Sequence, residues 1–164
     1  MTDTSRIYRL RPRTVVVSVV LADFLFVGMG MGIPILNIAF GFIVGWYLMR
    51  WISVGTREPG EMLRSLLKYS CISAGVTFLG MAVIWGWSVK MLFDPHADIV
   101  DFGIPMILFE PRMSLIGWLA LMIVISPFLQ LLTTVFAGDL TFLWLYRRES
   151  KDDVSNKGSR PIVL

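Results

Sequence analysis

The chain has 164 residues, 55% of them hydrophobic and only 16% charged, with a mean hydropathy of +0.70. A soluble domain is usually about half apolar and a quarter charged, so this composition excludes an ordinary aqueous fold and makes the bilayer the solvent. The net charge of +3 does not point to nucleic acid, because the basic residues flank apolar runs instead of gathering on one face, and the single Cys71 excludes an intrachain disulfide or a multi-cysteine metal site.

Residues 1–13 carry Arg6, Arg9, Arg11 and Arg13 and read as a basic cytoplasmic arm against anionic headgroups. A cleaved signal peptide is not expected. Asp23 interrupts the apolar run, no small-x-small site follows, and a second apolar segment begins almost at once. Residues 14–146 form a transmembrane domain with spans at 14–31, 35–52, 67–89 and 113–137, joined between the third and fourth by an outer loop over 90–112. The first two spans are separated by a reversal rich in Gly28, Gly30, Gly32 and Pro34. The segment after span 2 carries Arg57, Arg64 and Lys68 and is predicted to be an amphipathic interfacial turn.

The last apolar run, residues 113–146, is 34 residues long and overshoots a hydrocarbon core of roughly 30 Å. A break is therefore expected, with Pro127 as a kink and Gly138-Asp139 as a stop before an interfacial segment at 140–146. Residues 147–164 read as a polar cytoplasmic tail without stable structure. Thirteen of the 15 Lys and Arg fall on the inner side of this arrangement, a bias that places both termini in the cytoplasm of a plasma (inner) membrane protein. The fold class is thus an all-α membrane protein of four transmembrane helices in two hairpins. A weak internal repeat is suggested by GIP followed by GW, at 32–46 and again at 103–118.

Few polar groups lie inside the spans. Asp23 sits near the middle of span 1, where a carboxylate costs about 2.5 to 3.5 kcal/mol on insertion scales. No Lys or Arg shares its depth, so the neutral acid is favoured, hydrogen-bonded to Asn37, Ser73 or Thr77 across the bundle. Asp139 stands eight residues from Arg147 as Asp23 stands ten from Arg13. An unbroken fourth helix would put the two carboxylates at similar depths, able to share a proton; a broken one would make Asp139 a cap. On span 2, Asn37, Gly41 and Gly45 recur every four residues and form a stripe for close helix packing. Matching small or polar faces are Ser70, Ser73, Thr77 and Gly80 on span 3, and Gln130, Thr133, Thr134, Ala137 and Thr141 on span 4.

In the outer loop, Asp94, His96, Asp98 and Asp101 read as a solvated acidic surface, since they lack the spacing of a calcium loop and too few ligands accompany them for zinc. The apolar run 104–109, within a stretch 98–112 that is a candidate for re-entry, is too short to span; it can lie on the outer leaflet, dip back into the bundle or dock a partner. No HExxH, GxSxG or Walker motif occurs, so no enzyme activity, catalytic residue, cofactor or metal is expected. The candidate functional polar groups are Asp23, Asn37 and Asp139, with Gly41 and Gly45 assigned to helix packing. The leading reading is a non-enzymatic accessory or assembly subunit of a membrane complex, with the lipid bilayer and a protein partner or second copy as its contacts. The alternative is a small oligomeric transporter or ion-conducting protein that uses Asp23 as a protonatable group.

Overall fold

The structure, a computed structural model, describes residues 10–29, 34–56, 58–106 and 108–158, with side chains as far as residue 148. Residues 1–9 of the basic arm, Gly30 and Gly32 of the expected reversal, Arg57, Ile107 of the apolar loop run, and residues 159–164 of the tail lie outside the described residues. Four helical stretches are long and apolar enough to cross a membrane, and no strand occurs among the described residues. They are α1 (Pro12–Met29), α2 (Pro34–Gly55), α3 (Pro59–Gly86) with a 3₁₀ continuation at Trp87–Leu92, and a fourth made of α4 (Pro111–Ala120), a π turn at Leu121–Ile125 and α5 (Ser126–Gly158).

Each of α1 to α4 opens on a proline. The first turn of a helix has no internal use for its N–H groups, and the fixed φ of proline suits it, so the residue that breaks a helix interior starts one here. Pro127 is the exception, since it lies inside the fourth stretch. There the chain absorbs it by a π turn: the Ser126 N–H reaches back five residues to Leu121 O, immediately before the ring that can neither donate to Ile123 O nor fit against it.

The expected stop at Gly138-Asp139 does not occur. The helix continues through both residues and onward to Gly158, so the segment 140–146 is no separate interfacial piece and the backbone of the expected tail is helical over 147–158. Two physical reasons account for this. Gly138 is a contact, not a terminus, because a Cβ there would lie 3.1 Å from Leu66 Cγ of α3. Extending a helix already nucleated also costs far less than starting one. Likewise α3 begins at Pro59, not near residue 67, so the expected interfacial turn is its first two turns.

The most extensive interface joins α2 to α5, followed by those of α3 with α5 and α1 with α3. α2 and α5 run parallel: Ile38 O accepts from Thr133 Oγ1 at 2.9 Å, Gly41 meets Gln130 and Thr133, and Gly45 meets Thr134 and Ala137. α1 and α3 are also parallel, with Asp23 beside Ser73 and Val27 beside Gly80. The interior has two apolar clusters, one around Val15, Val44, Leu48 and Leu66 and one around Val27, Met81, Leu115 and Met122. The buried polar residues Asp23, Asn37, Ser73, Gln130 and Thr134 belong to neither.

The loop between α3 and α4 folds back on the bundle. Ile99 and Ile104 are buried against Met81, Leu115 and Trp118, whereas Phe109 is fully exposed. Of the three courses open to the run 104–109, its first residue therefore takes the inward one. Gly103 makes this path with φ +79°, a region costly for residues bearing Cβ. Ser114 secures the loop by accepting from Leu108 N and donating to Leu108 O, both at 2.9 Å. The two GIP…GW stretches differ in surroundings: Pro34 opens α2 whereas Pro105 precedes the next helix by six residues, and Trp46 is exposed whereas Trp118 is buried.

Candidate functional site

Two of the interior polar groups, Ser73 and Gln130, converge on Asp23. It lies on α1, six residues before the helix end at Met29, and has no exposed surface. Ser73 of α3 reaches it from one side, with Oγ 2.8 Å from Oδ2 and 3.1 Å from Oδ1. Gln130 of α5 reaches it from another, its Nε2 donating to Oδ1 at 3.0 Å and approaching Ser73 Oγ at 3.3 Å. Three helices are thus joined by one carboxyl, one hydroxyl and one carboxamide, all at most 1% exposed.

This arrangement follows from local requirements. Each of the three side chains lies within an unbroken helix whose backbone groups bond one another, so side-chain hydrogen bonding must be satisfied across helices. A polar group alone in hydrocarbon costs several kcal/mol, and three that meet can offset one another. The partners of Asp23 are uncharged. The carboxamide of Gln130 is also ambidextrous: Nε2 serves a carboxylate, and after a flip Oε1 accepts from a carboxylic acid. The cluster can therefore hold Asp23 in either protonation state without a change of helix packing.

Ser73 is one of the partners expected for Asp23. Gln130, which the sequence shows only as part of the small or polar face of its span, is the partner that the structure adds. Asn37 is buried on α2 but is no part of the cluster's hydrogen bonds. Its Oδ1 and Nδ2, and the Oε1 of Gln130, make none among the described residues. The register explains its place: Gly41 lies against Gln130 and Gly45 against Thr134, so one turn earlier Asn37 stands level with Ser126 to Gln130 on the same seam.

Asp139 is not brought to Asp23, although the fourth helix is unbroken. It follows Gln130 by nine residues, which is about 13.5 Å along the axis and half a turn around it. It is half-buried on the opposite side of α5 and takes no part in the hydrogen bonds of the cluster. Counting inward from Arg147 misjudged its depth because the helix continues beyond that arginine.

Gly41 and Gly45 set the distance between α2 and α5. A Cβ on Gly41 would lie 2.7 Å from Gln130 O and collide with Thr133 Oγ1; one on Gly45 would fall on the Thr134 carbonyl, 2.9 Å from its carbon. In the outer loop, the acidic residues satisfy backbone groups: Asp94 Oδ1 accepts from His96 N at 2.9 Å and Asp98 Oδ1 from Asp101 N at 3.2 Å. No three His, Cys, Asp or Glu residues are grouped to hold a metal among the described residues. Comparison with known protein families, curated proteins and solved structures finds no match to this chain.

Proposed function

We propose that this is a small integral membrane protein acting as a non-enzymatic accessory or assembly subunit of a membrane complex. The observation that carries this reading is the mutual engagement of Asp23, Ser73 and Gln130 across three helices, beside glycines that bring the backbones of α2 and α5 into contact at Gly41 and Gly45. These are devices for fixing one packing. Cavities of 440 and 370 Å³ lie elsewhere, the first lined by residues including Leu10, Trp51 and Tyr69 and the second by Trp46, Arg50 and Trp144, so neither touches the cluster. The charge bias of the sequence supports a plasma membrane setting with both termini in the cytoplasm and the spans ordered as two hairpins. The test is purification of the full chain in mild detergent with cross-linking and mass spectrometry. A larger partner should co-purify; a solitary monomer with intrinsic flux in proteoliposomes would overturn the reading.

One observation favours a second reading, a small oligomeric transporter or ion-conducting protein with Asp23 as its protonatable group. Gln130 Oε1 and the Asn37 carboxamide are buried without partners, leaving acceptor capacity on the same α2–α5 seam. On this reading Asp23→Asn abolishes proton-coupled flux in proteoliposomes while leaving the unfolding temperature nearly unchanged. Undiminished flux in that variant removes Asp23 as the coupling group.

A further inference from the structure

Away from the buried cluster, the lipid-facing side of the α2–α5 seam carries a second set of groups. Phe42, Trp46 and Arg50 follow at four-residue steps on α2, and Phe136, Leu140 and Trp144 at the same steps on α5. Because the two helices run parallel, the series match rung by rung. Phe42 meets Phe136 edge to face at 6.2 Å, and the Arg50 guanidinium stands 5.0 Å from the Trp144 ring and 5.4 Å from that of Trp46. A cavity of 370 Å³ opens at this last rung, lined also by Leu140 and Thr141.

No carboxylate is among the described residues that line this cavity. Arg148 also approaches the Trp144 ring, at 5.6 Å, so two guanidinium groups share one indole. Arg50 Nε is shielded from solvent and has no hydrogen-bond partner among the described residues. Thr141 donates its hydroxyl hydrogen bond to Ala137 O at 2.7 Å, so the guanidinium and indole N–H groups are the donors left to face whatever enters. Two guanidinium groups beside one aromatic ring favour an anion, and a planar guanidinium suits phosphate oxygens best.

We propose that this cavity binds the phosphodiester headgroup of an acidic phospholipid, in the leaflet at the end of the bundle that carries Arg50 and Arg148. A lipid, not a soluble anion, is indicated by what continues from the cavity: the exposed apolar rung of Phe42 and Phe136 extends the groove toward the hydrocarbon, where an acyl chain would lie. Trp46 and Trp144 are also the residue type that settles at the headgroup level. The site does not depend on whether the chain serves assembly or transport.

Native mass spectrometry of the delipidated full chain in detergent tests this, using phosphatidylglycerol against phosphatidylcholine with the same acyl chains. The wild type should retain phosphatidylglycerol preferentially, and Arg50→Gln should reduce that preference about tenfold, the loss of one charge-assisted hydrogen bond. Arg50→Lys should recover only part of it, because the ammonium lacks the fork. Arg64→Gln, an exposed arginine on α3, should leave the preference unchanged. Should Arg50→Gln fail to fold, brominated phosphatidylglycerol in vesicles should still quench wild-type tryptophan emission more than brominated phosphatidylcholine, and should do so less in Trp144→Phe. Equal retention of both lipids by the wild type, an unchanged preference in Arg50→Gln, or displacement of the lipid by millimolar inorganic phosphate alone would each overturn the assignment. Co-purification of a protein bound through Arg50 in place of lipid would do the same.

Discussion

Replacing Gly45 by alanine should destabilise the bundle even though alanine is the better helix former. In a helix the exchange is favourable by about 1 kcal/mol. Against it stands the added methyl, which would fall on the Thr134 carbonyl, 2.9 Å from its carbon, and 3.1 Å from Ala137 Cβ. Carbon atoms rest at about 3.5 to 4.0 Å, so α2 would have to withdraw from α5 by roughly 1 Å. The obstacle is backbone and cannot rotate away. Overpacking of this kind costs about 1 to 3 kcal/mol. Withdrawal also stretches the 2.9 Å bond from Thr133 to Ile38 O, a further loss of about 1 kcal/mol. The sum, less the propensity gain, is a net destabilisation of about 1 to 3 kcal/mol. The comparison is Gly75→Ala on α3, where a Cβ meets nothing within 4 Å and the same exchange should be neutral or stabilising. Thermal unfolding of both variants in one detergent, followed by circular dichroism, measures the difference. Equal midpoints for Gly45→Ala and Gly75→Ala would refute the role assigned to this seam.

Asp23→Asn should fold nearly as well as the wild type, since its amide oxygen can still accept from Ser73 or Gln130. Asp23→Leu should lose about 1 to 3 kcal/mol for each polar partner left buried and unpaired, and the reverse order in the same unfolding assay would contradict the cluster. Gly138→Ala should be destabilising because its methyl displaces the buried Leu66 side chain, and Leu66→Ala should relieve that cost. The double variant should therefore be more stable than the sum of the two single changes by about 0.5 kcal/mol or more, whereas additive losses would show that the residues do not touch. Glu110 accepts from Met113 N at 3.1 Å and caps α4. Its replacement by alanine should cost about 0.5 to 2 kcal/mol and speed amide exchange in the first turn of α4; unchanged exchange at Met113 would argue against the cap.

The helical membrane character was legible because it depends on composition and run length, which are properties of the chain alone. Asp23 stood out for the same reason: a carboxylate in an apolar run must find a partner wherever it lies. Ser73 was among the partners proposed for it. Gln130 was not, although it is the only glutamine in the chain and lies deep in an apolar stretch, two signals that could have marked it. The helix starts were also available, because proline opens each of α1 to α4, whereas the boundaries were set by where polarity began. Gly138-Asp139 was misread for a different cause. Glycine in a helix can mark an end or a close neighbour, and the sequence does not say whether another helix approaches there.

By itself, the sequence determined that four helices exist, that they are apolar enough for a bilayer, and that Asp23, Asn37, Gly41 and Gly45 must face protein. Each of these follows from local chemistry and from the 3.6-residue period. Only the tertiary structure decided which helices meet. Depth along one helix relative to another is set by packing, and counting from flanking charges cannot recover it when a helix continues past its arginines. That offset put Gln130, not Asp139, opposite Asp23, and it aligned the glycines of α2 with the carbonyls of α5.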